Sequence, residues 1–362
     1  MDDKPLTSAL DRRCGAADQV VRRPAALGWA LAWAFLELAA CGRAPPAPTE
    51  TRIPPGLEER FYPPPSWTWG ALDAGGAHLR YGVAPPTKAV RAEVLILPDA
   101  GEPAEAWFET ANNLIARNCG VWVLDLAGQG GSARAPLMGE RLRAASLDGD
   151  VTALEAMVNQ VVRPRSRAPL ILVGDGLGAQ LALRALSDPP SGVTGAVLGA
   201  PALSDRPDRL PGPLGALTAQ IAQRIGLGFL FAEGQHEWRG STARPQTRVD
   251  VAGAWMQTNS QLRIGGASLS WTAAFDRSAA AARDPALLHM AKTPVLMAAD
   301  TADTAAHDVC TALPACRFLG VKAPAPHLAP DAARGPWLEA VAAFIQERAQ
   351  GHSVAAAPVR GQ

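Results

Sequence analysis

The sequence predicts an α/β protein built on a mostly parallel twisted sheet flanked by helices, and three observations predict it. Short uninterrupted apolar runs recur, such as AEVLILP (92–98) and PLILVGD (169–175), as strands buried on both faces require. Segments with apolar residues at helical spacing separate them. The two kinds of segment alternate from about residue 66 to residue 349, which implies parallel strands joined by right-handed crossovers. Composition agrees with a large buried core, at 48% hydrophobic and 19% charged residues. Lys+Arg and Asp+Glu both number 34, so there is no basic surplus for nucleic acid and no acidic surplus for a solvating tail.

In chain order, WTWGALDA and HLRYGVA read as a β-hairpin, followed by the strand at 92–98. AEAWFETANNLIARN (104–118) has helical spacing and stops before Gly120. VWVLDL (121–126) is a strand, and SLDGDVTALEAMVNQVV (146–162) a helix with Ser146 or Asp148 as its cap. Strand 169–175, helix 178–186 and strand 194–201 follow, then strand 293–299, helix 305–313, strand 316–322 and helix 336–349. Between the halves lies an excursion, 203–290, too long for an unstructured loop and therefore read as a helical lid. Its aromatics, Trp255 and Trp271 among them, either line an acyl-chain pocket or pack the lid on the core. The organisation expected is a signal segment (1–41), a Pro-rich tether (42–65), a core in two parts (66–202 and 291–349) around the insertion (203–290), and a disordered tail (350–362).

The N-terminus carries a targeting pattern. Arg22 and Arg23 precede an apolar run from Ala25 to Leu36, and small residues Ala39 and Ala40 stand directly before Cys41. This resembles a bacterial lipobox, which implies lipidation of Cys41 and a lipid anchor in the cell envelope on the periplasmic side. Gly42, in place of the aspartate used for inner-membrane retention, favours the outer membrane. The run is short for a membrane span, and Glu37 interrupts it. Residues 1–20 are long for such a leader, and a true start near Val20 or Val21 would explain them. RAPPAPTETRIPPGLEERFYPPP (43–65) should be extended. In an oxidising compartment Cys310 and Cys316 could bridge, while Cys119 reads as a small buried hydrophobe.

From residue 55 to 346 the chain resembles the lysophospholipase and monoacylglycerol-lipase branch of the α/β-hydrolases, often grouped with the serine aminopeptidases. The resemblance rests on LPDAGEPAEAWFE (97–109) as oxyanion loop, LDLAGQGGSAR (124–134) as an Asp-x-x-Gly-x-Gly-x-Ser stretch, LILVGDGLGAQLAL (170–183) as nucleophile elbow, and PVLMAADTAD (294–303) and PAPHLAP (324–330) as the acid and histidine segments. It implies an α/β-hydrolase fold with an inserted lid, and a catalytic order of nucleophile, acid, histidine.

The elbow pattern G-x-S-x-G reads Gly174, Asp175, Gly176, Leu177, Gly178, so glycine stands where the resemblance requires serine. Loss of that nucleophile alone costs roughly 10⁶-fold in turnover in a serine protease. Asp175 as a carboxylate nucleophile is one residue early. The resemblance further assigns Asp300 as acid, with Asp303 as its near competitor, and His327 as base. The backbone N–H groups of Ala100 and Leu177 are the oxyanion donors. Asp99 is a second departure, since a carboxylate beside that hole opposes a developing negative charge. Gly176 and Asp99 read as independent losses. The reading that follows is an impaired relative binding a lipid or acyl ligand, or a protein partner, in the old cleft. The alternative is an active carboxylic ester hydrolase on lysophospholipids or monoacylglycerols, with water activated by His327–Asp300. No motif indicates a metal or cofactor.

Overall fold

The structure, a computed structural model, describes residues 50–134, 139–203, 221, 224–240, 247–323 and 325–355. The signal segment, Cys41 and the first part of the tether lie outside the described residues. Eight strands form one sheet: β1 (Thr68–Ala74), β2 (Ala77–Ala84), β3 (Ala92–Leu97), β4 (Cys119–Leu124), β5 (Leu170–Asp175), β6 (Val193–Gly199), β7 (Val295–Ala299) and β8 (Cys316–Gly320). Their order is β1-β2-β4-β3-β5-β6-β7-β8. The β1/β2 and β2/β4 pairs are antiparallel and all others parallel. β3, β4 and β5 are buried along their whole length, which is why they read as continuous apolar runs.

Helices cover the sheet: α1 (Phe108–Ile115), α2 (Asp148–Ala156), α3 (Gly176–Ala185), α4 (Arg248–Thr258), α5 (Leu269–Ala282), α6 (Pro285–Met290), α7 (Thr304–Ala312) and α8 (Asp331–Ala355). A 3₁₀ turn at Ala104–Trp107 leads into α1, and a π-helical stretch at Met157–Val162 extends α2. Neither Ser146 nor Asp148 caps α2. Ser146 Oγ accepts instead from the Asp148 N–H at 3.1 Å, from one residue ahead of the cap position at Leu147. The described part of the insertion carries α4, α5 and α6. No helix among the described residues is long and apolar enough to cross a membrane.

Two boundaries differ from the sequence reading. The stretch 50–65 is docked on the fold rather than extended. Leu57 and Phe61 are buried, and the Asn259 side chain grips the Arg52 backbone from both sides, accepting from its N–H at 2.7 Å and donating to its carbonyl at 2.9 Å. At the other end α8 begins at Asp331, with Pro336 inside it, and runs to Ala355 into the expected tail. Cys310 and Cys316 are joined as a disulfide, with Cα atoms 5.4 Å apart. Cys119 is a buried free thiol whose pKa burial pushes up to about 11.

Candidate functional site

β5 delivers Asp175 in extended conformation, and the chain then turns at Gly176, with φ +51°, into α3. The two flanking glycines are fixed sterically. A Cβ on Gly178 would overlap the Leu97 and Pro98 carbonyls, and one on Gly174 would overlap the Ala179 backbone. Close approach of α3 to the ends of β3 and β5 therefore preserves the elbow frame, whatever stands at its centre.

At that centre the space is taken. A Cβ on Gly176 would collide with the Asp99 carboxylate. Asp99 Oδ1 accepts from the Ala100 N–H at 2.6 Å and the Leu177 N–H at 2.7 Å. These are the two donors expected to hold an oxyanion, and here a side chain of the same protein occupies them. Two main-chain N–H groups and the N-terminus of α3 all favour a negative charge at this point. Asp99 is thus more than a nearby opposing charge, and Asp99 and Gly176 are not independent changes. Each depends on the space the other leaves.

His327 sits on the 3₁₀ turn Pro326–Leu328 and is 2% exposed. Its Nε2 lies 2.9 Å from Glu102 Oε1, and its Nδ1 lies 3.0 Å from Asp175 Oδ2, the latter an ion contact set off the line of a straight hydrogen bond. The ring stacks on Trp107 at 3.9 Å between centroids, and Trp107 Nε1–H donates to Glu102 Oε2 at 2.9 Å. Burial alone would lower the His327 pKa, but Glu102 and Asp175 outweigh it and raise it to about 10. Burial raises Asp175 to about 7 against the pull of His327, with Asp99 and Glu102 adding to the rise. An imidazole held between two carboxylates keeps both protons and is a poor general base at neutral pH.

The expected Asp300–His327 pair is not formed. Asp300 Oδ1 accepts from the Ala302 N–H at 2.8 Å, and Asp303 Oδ1 caps α7 through Ala306 N–H at 3.0 Å. Both carboxylates serve local backbone, while Asp175 and Glu102 take the two nitrogens of His327. Asp175 cannot be a nucleophile toward a ligand in the cleft, because it is 2% exposed and committed to the histidine. Sequence reasoning missed Glu102. Its place three residues after Asp99 in the oxyanion loop was the available signal.

Trp255 and Trp271 are each 1% exposed. Trp255 packs edge-on against Phe108 of α1, Trp271 stacks on Phe275 within α5, and all three insertion aromatics belong to the same buried apolar cluster as the sheet side chains, so they pack the insertion on the core. The Asp-x-x-Gly-x-Gly-x-Ser stretch is also architectural. Asp125 accepts from Arg80 Nε–H at 2.6 Å and from the Ala104 and Gly131 N–H groups at 2.9 Å. Arg80 in turn makes a two-pronged contact with Glu105 at 2.9 Å, so the motif ties β2 to the oxyanion loop.

Residues 88–312, more than half of the chain, match the family described as Serine aminopeptidase, S33. The chain belongs to that family. This S33-family chain is similar in structure to a soluble variant of monoglyceride lipase from Saccharomyces cerevisiae, at 14% identity and a TM-score of 0.60, over 84% of this chain and 99% of that one. It is similar to monoacylglycerol lipase of Paleococcus ferrophilus at 16% identity and a TM-score of 0.57, over 75% and 99%. It is likewise similar to a thermostable carboxyl esterase from Bacillus coagulans at 11% identity and a TM-score of 0.59, over 78% and 99%. At these identities the likeness establishes the α/β-hydrolase fold. No curated protein matches in sequence.

Proposed function

We propose that this S33-family protein is a non-catalytic relative of the lipases and esterases, which binds a lipid or acyl ligand, or a partner, where its relatives carry out hydrolysis. The observation that carries the reading is the Asp99 carboxylate seated on the Ala100 and Leu177 N–H groups beside a glycine at the nucleophile position. Acyl transfer needs a nucleophile, a base and donors for the oxyanion. Here the first is absent, the second is held as a cation between carboxylates, and the third are occupied. The relatives' substrates, monoglycerides in the lipases named above, motivate the choice of a lipid ligand. Lipidation at Cys41 and an envelope location on the periplasmic side belong to the same proposal, because a lipid-binding protein gains from being held at a membrane.

The test is a fluorophosphonate probe and a panel of monoacylglycerol and lysophospholipid esters applied to purified protein. No labelling and no hydrolysis above background are expected, with co-purifying lipid detectable by mass spectrometry. Ester cleavage that disappears in His327→Gln, or labelling abolished by one Ser→Ala change, defeats the proposal. Mass spectrometry of the mature protein also checks the anchor, since a Cys41 without acyl groups rejects it.

A further inference from the structure

Beside the elbow site, and sharing no residue with it, a cavity of about 390 Å³ opens between the β1–β2 turn, the loop 127–134 after β4 and the segment 139–145. Three guanidinium groups line it, from Arg134, Arg141 and Arg143. The bonds of half-buried Arg134 all go to main-chain carbonyls: Gly128 O and Gly130 O at 3.1 Å and Arg263 O at 2.6 Å. Those acceptors are neutral, and among the described residues no carboxylate is in contact with the Arg134 charge. Asp125 and Glu140 act on Arg134 only through space, and Asp125 is bonded to Arg80. Arg141 lies over the Phe231 ring at 4.2 Å and donates to Phe229 O at 2.9 Å, while its Nε–H is buried without a hydrogen-bond partner. Its carboxylate neighbour among the described residues, Glu237 at 3.7 Å, is solvent-exposed.

The backbone of the cavity is open. Gly76 and Gly128 have positive φ, and a Cβ on either would meet nothing within 4 Å. A ligand can therefore reach the main chain there. Guanidinium forks match the spacing of phosphate oxygens. The volume exceeds that of a bare phosphate, and Ala77, Ala127 and Ala144 supply a small apolar wall for the group it carries.

We propose that this cavity binds a phosphate ester. The phosphate sits on the three arginines, and the ester substituent lies along the alanine wall. The chemistry is common to a soluble phosphate ester and to the head group of an anionic phospholipid. The full chain is titrated calorimetrically at low salt with sn-glycerol 3-phosphate, inorganic phosphate and glycerol. In parallel it is sedimented with vesicles of phosphatidylglycerol or of phosphatidylcholine alone. Saturable binding of glycerol 3-phosphate is expected, with none of glycerol. Arg143→Gln should weaken it by about tenfold, the effect of one lost charged hydrogen bond. Ala145→Glu, which adds a carboxylate at an exposed position on the rim, should abolish it with the melting temperature unchanged. If binding to phosphatidylglycerol vesicles falls in the same two variants, the source is a lipid head group. If only the soluble ester responds, it is a free metabolite. Absence of saturable binding to either source, or binding unchanged in both variants, overturns the site.

Discussion

A serine introduced at position 176 would drive its Cβ into the Asp99 carboxylate, at a φ of +51° that already strains any residue but glycine. Gly176→Ser alone should therefore destabilise the fold by about 1–3 kcal/mol. Adding Asp99→Gly should return part of that loss, so the two substitutions should be non-additive by on the order of 1 kcal/mol in a denaturation cycle. Additive effects would show that the two positions are not coupled. The double variant should still fail to hydrolyse esters, because His327 Nε2 remains on Glu102. At this scale the sequence is legible where sterics leave one solution. Gly174 and Gly178 pin the register, and with it the identity of the Ala100 and Leu177 donors. The acid partner was not legible. Which carboxylate reaches a histidine is decided by loop paths, and three acids from two segments far apart in the chain, Asp99, Glu102 and Asp175, share the space around the elbow.

Among elements, the described part of the insertion is held by charge as well as by apolar packing. Glu109 on α1 receives Arg248 of α4 in a two-pronged contact at 2.6 and 2.8 Å. Arg248 also reaches Ala329 O at 2.9 Å and Asp331 at 2.5 Å. Arg334 of α8, 3.6 Å from the same Glu109, donates to the His327 carbonyl at 3.0 Å. One carboxylate thus ties α4 to the turn that carries His327. Arg248→Met should cost on the order of 2 kcal/mol, because Glu109 keeps Arg334 and Arg60 as neighbours. Backbone hydrogen exchange should quicken in α4 and in the turn at Pro326–Leu328, while β3 and β5 keep their protection. Unchanged exchange in α4 would remove the clasp from the argument. Strands and crossover helices were readable because burial on both faces leaves an apolar run, and α4 to α6 answer the expected helical lid. The docking of residues 50–65 was hidden, since Leu57 and Phe61 are few apolar anchors among so many prolines, and sequence does not tell that two of those prolines, Pro54 and Pro64, are buried with them. The start of α8 was misplaced because Pro336 reads as a first-turn residue, yet packing continues the helix back to Asp331.

For the molecule as a whole, the buried carboxyl groups and the buried histidine give stability an unusual dependence on pH. Asp175, raised by burial to about 7, and Asp150, raised by burial to about 6, bind protons more tightly folded than unfolded. Their contribution is fully present below the unfolded value near 3.8 and is lost as pH rises through 6 to 7. His327, lifted by Glu102 and Asp175 against its burial, behaves in the same sense. Its contribution is complete below 6.5 and is lost as pH rises through about 10. In the opposite sense, Asp148 and Asp331 are lowered, chiefly by hydrogen bonds to Ser146 and to Arg248 respectively, and they weaken the fold only in strong acid. The carboxyls and the imidazolium therefore pull together above pH 4, and the maximum should fall on the acid side of neutrality. Thermal melts from pH 4 to 10 should show the highest midpoint at the acid end, near pH 4, a decline from there through pH 7 set by the carboxyls, and a further decline toward pH 10 set by His327. In His327→Gln the loss set by the imidazolium should vanish, the part of the first decline set by Asp150 should remain, and the part set by Asp175 should move to higher pH, because His327 no longer pulls that carboxyl down. A midpoint that holds level or climbs between pH 7 and 10 in the wild type would mean that His327 is not the cation the cluster is built around, and Glu102 and Asp175 would then need another partner.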